Sequence, residues 1–378
     1  MTSERLDSRR DTVTSWGALS VVAAISAVLG GVVALVMVAL MQWLCRRSWV
    51  VDDARSHGIS EVDSSRLGGV AVFLGAIAFV SAAEWAASES SAKLGVLHWT
   101  TDALPSYFSY VFLISLVGLW DDFVSRVQPI IRLTMVLAVS VGALISGAVP
   151  MTMSAYSWLP FGLNDSYVLF VAGVLVVTGF VNAGNMADGA NGLLAIIGIA
   201  FLSVLMRYDP ASFASLFIMA LLIFVIFNAI TGQIFLGDFG AYGLSALIAF
   251  GSLELYARGM VSVWFLGSVL AYPCVEMARI IVVRRVRGSP AFQSSNDHLH
   301  NYLYELLRES GWRRNVANSS TGFLLGMLSS MMPASAVLFG WVEASSTSFW
   351  GTYFLLYLVL HIGIAIQLEG AIIRKKYR

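Results

Sequence analysis

The stretch "VLFVAGVLVVTGFVNAGNMADGANGLLAIIGIAFLSVLM" (168–206) decides how the chain is read. Two apolar runs, each long enough to lie in lipid, flank "NAGNMADGANG" (182–192), which holds asparagines, an aspartate and glycines. A carboxylate at the edge of a hydrocarbon layer is costly unless something uses it. Asp188 is therefore the first candidate for chemistry, and its neighbours set the fold.

The same alternation recurs along all 378 residues, of which 58% are hydrophobic and 12% charged. An ordinary soluble domain carries about 25% charged residues. Apolar runs of this length read as membrane-crossing helices. Eleven are expected, at about 16–45, 66–87, 103–120, 130–150, 166–184, 191–206, 213–236, 240–257, 260–283, 321–342 and 348–370. The predicted fold is an all-α polytopic membrane bundle of 10–11 helices, forming one domain over 1–378. The first run is too long for a signal-peptide core, and Arg46 and Arg47 follow it directly, so it reads as an anchor.

Basic residues orient the bundle. With the N-terminus outside, the outer side keeps Arg5, Arg9, Arg10, Lys93, Arg207 and Arg258. The rest of the 23 Lys and Arg lie on the inner side. Cys45 and Cys274 have no metal-ligand spacing and read as buried apolar residues. The formal charge is zero, and no basic aromatic stripe suggests a nucleic-acid partner.

The inner connections hold nearly all the reactive side chains. They are 46–69, 120–129, 182–192, 232–243 and 284–307. A secondary transporter usually gathers polar residues near the midplane; here they collect at one interface. Asp121 and Asp122 end the third span. Like charges this close call for a cation or a proton between them. Arg126 and Arg132 follow at distances suited to a bound phosphate. Asp238 in "FLGDFGAYG" lies between Gly237 and Gly240, where backbone amides can approach an anion. Carboxamides such as Asn185 and Asn191 suit uridine-like edges or an oxygen-ligated metal. Aspartates from three segments favour Mg²⁺, with Mn²⁺ as substitute, on a pyrophosphate substrate. His298 and His300 follow Asp297 in a basic loop, and their i, i+2 spacing needs a non-helical backbone if both are to act. Asn228 and Gln233 read as turn or helix-contact residues, and His361, alone in the last span, as core packing.

Five motifs in order, "SSRLGGVAVFLG", "GLWDDFVSR", "NAGNMADGANGLL", "IFLGDFGAYGL" and "DHLH", resemble the polyprenyl-phosphate N-acetylhexosamine-1-phosphate transferases. That superfamily includes the phospho-N-acetylmuramoyl-pentapeptide translocases. "DGANGL" followed by "IFLGDFGAY" is closer to the bacterial branch that starts O-antigen-like or capsular glycans. The resemblance implies transfer of a sugar-1-phosphate from a UDP-N-acetylhexosamine to undecaprenyl phosphate in the bacterial inner membrane. UMP is released on the cytoplasmic face. It places Asp121 at the lipid phosphate as base or orienting group, Asp122 in support of the metal, and Asp238 as principal Mg²⁺ ligand. Asn185 and Asp188 line the nucleotide end, with Asn191 and Gly237 beside them. Arg66, with Gly68 and Gly69, opens span two, and His300 matches the family's first loop histidine. Glu276 and Arg279 fit a family Glu–Arg pattern. The chain departs from the family in three places. Asn191 stands where many members have a second aspartate, Tyr302 where a second histidine is usual, and Gln233 where lysine is common. A homodimer is one assembly compatible with this reading.

Overall fold

In the computed structural model, residues 27–47, 51–52, 64–94, 104–124, 127–149, 166–209, 213–288 and 297–376 are described. The chain is an all-α membrane bundle. Its helices are α1 (Ala27–Cys45), α2 (Gly68–Leu94), α3 (Phe108–Val124), α4 (Pro129–Ile145), α5 (Ser166–Ala187), α6 (Leu193–Tyr208) and α7 (Ala214–Thr231). They continue as α8 (Gly237–Ala257), α9 (Val263–Val269), α10 (Ala271–Val286), α11 (Leu299–Glu309), α12 (Arg314–Gly326), α13 (Met332–Leu338) and α14 (Thr347–Lys376). A helix lies at each of the eleven expected positions. Among the described residues, seven are long and apolar enough to cross a membrane, or eight with the bent α9–α10 pair. The expected count of eleven is therefore not what length and composition return.

Two expected straight spans are interrupted. The ninth breaks at Leu270, where α9 and α10 meet at 82°. Pro273, which has no backbone N–H, falls in the first turn of α10, where the loss is tolerated. The tenth carries a π-helical turn at Met327–Met331, directly before Pro333. Such turns absorb the carbonyl left without a donor by a following proline.

The centre of the bundle is α8, with 89% of its apolar window buried, whereas the last helix, α14, has 11%. Glycines set this packing. A methyl on Gly69 would overlap the Gly240 backbone, and one on Gly118 would overlap the Asp238 carbonyl. The N-terminal ends of α2 and α8 and the C-terminal half of α3 thus meet backbone to backbone, as small residues permit in membranes. Aromatic rings seal the junction: Phe73 packs edge-on to Phe239 at 5.4 Å and to Phe217 at 5.1 Å.

A small β element adds to this. Strands β1 (Val51–Asp52) and β2 (Ser64–Ser65) pair antiparallel, and Ser65 bridges Ile234 in parallel. Hydrogen bonds from Ser65 N to Gln233 O (3.0 Å), Phe235 N to Ser65 O (2.8 Å) and Gly68 N to Phe235 O (2.9 Å) join the two segments. The Asn228 carboxamide donates to Ile234 O at 2.6 Å, so Asn228 serves the turn, as its sequence context indicates. These backbone bonds bring the Arg66 and Gly237 segments side by side.

Candidate active site

The junction of α2, α3 and α8 builds an acidic cluster from two separate sequence motifs. Asp121 and Asp122 occupy the last turn of α3, and Asp238 the first turn of α8. Asp122 Oδ2 accepts the Phe239 backbone N–H at 3.0 Å, so the carboxylate caps α8 at the positive end of its dipole. Asp122 Oδ1 is buried and makes no hydrogen bond. An orphaned carboxylate oxygen of this kind marks a place for a cation or a donor from a ligand. Gly237 makes the approach feasible: its φ is +67°, and a Cβ there would strike the Arg66 carbonyl and lie 2.9 Å from Asp122 Oδ2.

Arg132, one turn into α4, faces the cluster. Its Nη1 is ion-paired with Asp121 and stands 3.7 Å from Asp238 Oδ2. One guanidinium is therefore shared by two carboxylates from different helices. Tyr242, one turn beyond Asp238 on the same face of α8, is buried beside these charges. The spacing i, i+4 from Asp238 was the signal that could have singled it out. Arg126 lies outside the described residues.

Asp188 follows the end of α5, with its N–H bonded to Gly184 O at 3.1 Å. Desolvation and then the neighbouring Asp122 charge push its carboxyl well above the usual carboxylate range. Asn185 lies one turn earlier and is partly exposed. Next to Asp188, Gly189 leaves the space that His300 fills, since a Cβ there would overlap His300 Nε2. This contact joins the 182–192 segment to the histidine loop.

His298 is the extended N-cap of α11, with φ −80° and ψ 145°, and His300 lies in the helix's first turn. Their rings stack, 5.1 Å between centroids and 4° between planes. The extended backbone expected for both is present at His298 alone, where the chain turns into the helix that carries His300, and this turn lets the i, i+2 pair share a site. His300 Nδ1 is 2.9 Å from the Tyr272 hydroxyl. Burial, then the neighbouring His298, pushes the His300 imidazole down to about 3. His298 Nδ1 meets Glu276 Oε1 at 3.2 Å.

Asn191 has a different role from its neighbours. Its side chain donates to Asn315 Oδ1 and Ser319 Oγ, each at 3.1 Å, and accepts from Asn318 Nδ2 at 2.9 Å. It is 3% exposed, and its carboxamide is committed to α12. Tyr302, in the position of a usual histidine, has its ring 6.0 Å from the Arg279 guanidinium.

Among the described residues, no three His, Cys, Asp or Glu side chains converge closely enough to enclose a metal ion. The acidic cluster instead offers carboxylate oxygens from two helices around one guanidinium. Mg²⁺ commonly binds through one or two carboxylates, keeping waters and taking substrate phosphate oxygens. The orphaned Asp122 oxygen beside Asp238 fits that mode.

Comparison with known proteins places this geometry. A profile described as glycosyl transferase family 4 matches residues 104–256. The chain is 32% identical over 177 residues to a phospho-N-acetylmuramoyl-pentapeptide-transferase of Geobacillus sp. (strain WCH70), covering 45% of this chain and 52% of that one. It is 30% identical over 177 residues to the enzyme of the same name from Bacillus subtilis, again 45% and 52%. With that of Deinococcus radiodurans it shares 34% over 148 residues, 38% of this chain and 43% of the other. The chain thus matches about half the length of these relatives. The matched segment contains Asp121, Asp122, Arg132, Asp188 and Asp238, and over that segment the chain is similar to glycosyl transferase family 4 and to these phospho-N-acetylmuramoyl-pentapeptide-transferases.

Proposed function

We propose that the chain transfers an N-acetylhexosamine-1-phosphate from a UDP-sugar to undecaprenyl phosphate, in the bacterial inner membrane with its site on the cytoplasmic side. The observation that carries this is the sharing of Arg132 between Asp121 and Asp238 at the end of an apolar bundle. A lipid phosphate and a soluble dianion can meet only at such an interface.

In this reaction an oxygen of the lipid phosphate attacks the phosphorus that carries the sugar. A new P–O–P bond forms, the P–O bond to UMP breaks, and UMP leaves with the electron pair. The sugar–oxygen bond is untouched. A phosphate monoester has a second pKa of about 6, so at neutral pH the nucleophile is mostly ionised already. Asp121 is accordingly assigned to orienting Arg132 rather than to taking a proton. Arg132 offsets the charge of the lipid phosphate, and Asp188, Asn185 and His300 face the nucleotide end. A divalent cation held by Asp122 and Asp238 would supply charge neutralisation at the diphosphate as charge moves onto UMP. Lipid-linked glycan assembly for O-antigen or capsule is the process this product would enter.

A secondary transporter is the second reading. The broken α9–α10 pair, with Glu276 and Arg279 buried just beyond the break, is its one supporting observation. Purified protein supplied with undecaprenyl phosphate, Mg²⁺ and a panel of UDP-sugars separates the two. UMP release with one or more donors supports the transferase. Donor uptake into vesicles without UMP release supports the transporter.

A further inference from the structure

Helix α14 is the least enclosed membrane-length helix, and its buried stripe carries Trp350, His361 and Ala365. His361 is 3% exposed, in the apolar run "FLLYLVLHIGIAI" (354–366). A titratable side chain at such depth needs partners, and its choice of partners is informative. His361 Nε2 lies 2.8 Å from Glu276 Oε2, and its Nδ1 lies 3.3 Å from the Tyr357 hydroxyl.

Glu276 is the hub of this region. Its Oε2 also accepts from Arg279 Nε at 3.0 Å. Its Oε1 accepts from Arg279 Nη2 at 2.6 Å, from the Leu299 backbone N–H at 3.0 Å and from His298 Nδ1 at 3.2 Å. A carboxylate has about four lone-pair directions, so these donors saturate it. Since the carboxylate only accepts, the ring nitrogens facing it carry hydrogens. His298 is thereby held with a hydrogen on Nδ1, while its ring stacks on His300.

We propose that His361 is a positioning residue for the His298/His300 pair, acting through Glu276. Arg279 reaches both carboxylate oxygens but also turns Nη2 to the Asp297 carbonyl at 2.5 Å. His361 holds Oε2 from the opposite element, α14, so the carboxylate plane keeps Oε1 aimed at the loop. Without it, Oε2 keeps only the Arg279 Nε–H, and Arg279, whose Nη2 is shared with the Asp297 carbonyl, must hold the carboxylate plane alone, so the Leu299 N–H contact and the His298 hydrogen bond are less firmly anchored. Only the activity arm of the test below rests on the transferase reading.

The test compares the full-length protein with His361→Leu and His361→Gln, a glutamine amide being able to donate where the imidazole did. Hydrogen exchange on peptides covering 297–303, melting temperature, and kcat, KM and the pH profile of UMP release are measured. In His361→Leu the Leu299 amide should exchange roughly tenfold faster and kcat fall roughly tenfold, as supporting residues of functional histidines typically cost. KM for the nucleotide sugar should stay within about twofold, as expected when an interaction is lost mainly in the transition state. The pH–rate profile should shift, and His361→Gln should restore most of both exchange protection and kcat. Unchanged exchange and an unchanged pH profile in a folded His361→Leu protein would overturn the proposal. So would equal losses in folded Leu and Gln variants. If the leucine variant does not fold, His361→Asn, whose amide is too short to reach, takes its place against Gln under the same criteria. Absence of UMP release from the wild type with every donor would refute the reaction assignment, while the exchange comparison still decides the positioning role.

Discussion

Asp122 and Phe239 are joined by a hydrogen bond, carboxylate to backbone amide, that ties the end of α3 to the start of α8 at 3.0 Å. The same carboxylate that caps a helix leaves its other oxygen buried and unpaired. Structural and functional demands thus fall on two atoms of one side chain. Asp122→Asn separates them, because a carboxamide oxygen can still accept from Phe239. The variant should fold with a melting temperature close to that of the wild type and lose UMP release. The wild type, but not the variant, should gain thermal stability on addition of Mg²⁺. A variant that keeps both the Mg²⁺ response and full turnover would remove Asp122 from the site.

Arg132 serves two carboxylates from one guanidinium, a task that suits a planar fork and not a point charge. Arg132→Lys retains the charge and loses the fork. With turnover measured against undecaprenyl phosphate and UDP-sugar separately, the KM for the lipid should rise by about tenfold, equivalent to about 1.4 kcal/mol. The KM for the nucleotide sugar should change less. The reverse pattern would move Arg132 to the nucleotide end.

Gly237 combines a φ of +67° with the Arg66 carbonyl where a Cβ would sit, whereas Gly288 has a φ of +68° and, among the described residues, nothing near a Cβ added there. Ala at 288 bears only the backbone strain, about 1 kcal/mol. Ala at 237 must also move the Arg66 segment, which its backbone bonds tie to 233–236. Gly237→Ala should therefore melt well below Gly288→Ala and lose activity, and equal melting temperatures would contradict the close approach.

His300 makes stability depend on pH. Its ordinary value of 6.5, kept in the unfolded chain, is pushed down to about 3 in the fold, so the unfolded state binds the extra proton first. Its contribution is therefore intact above pH 6.5, is lost progressively as pH falls towards 3, and changes no further below that. Melting curves in detergent between pH 7 and 4 should show less loss of stability in His300→Gln than in the wild type. Parallel curves would show that His300 is not buried as a neutral ring.

Much of this site was legible because membrane burial makes polar residues conspicuous. Asp121, Asp122, Asp188 and Asp238 stood out against apolar surroundings, and glycines beside them indicated close backbone approach. The structure adds what spacing along a chain does not encode. Glu276 is joined to His361 across 85 residues, and nothing in the periodicity of α14 distinguishes a histidine aimed at a carboxylate from one that merely packs. The break at Leu270 was hidden because hydropathy averages over a kink. The seven to eight qualifying crossings, against eleven expected, reflect helices such as α4 and α6 that are apolar but only 17 and 16 residues long.

Asn191 supplies the last prediction. As the residue where an aspartate is common among proteins resembling this one, it invites the exchange Asn191→Asp. The surroundings oppose it. Asn191 donates to Asn315 Oδ1 and Ser319 Oγ, and Asn315 cannot turn its amide over without giving up its bonds to the Ala229 and Ile230 carbonyls, both at 3.1 Å. A carboxylate at 191 would face the Asn315 oxygen with no hydrogen between them. Leaving such buried acceptors opposed costs about 1–3 kcal/mol. Asn191→Asp should melt lower than the wild type and show no gain in turnover. Asn191→Asp with Asn315→Ala should recover part of the melting temperature, because it removes the facing oxygen. If the single variant is as stable as the wild type, the carboxamide network does not govern position 191, and a role at the nucleotide becomes the better account.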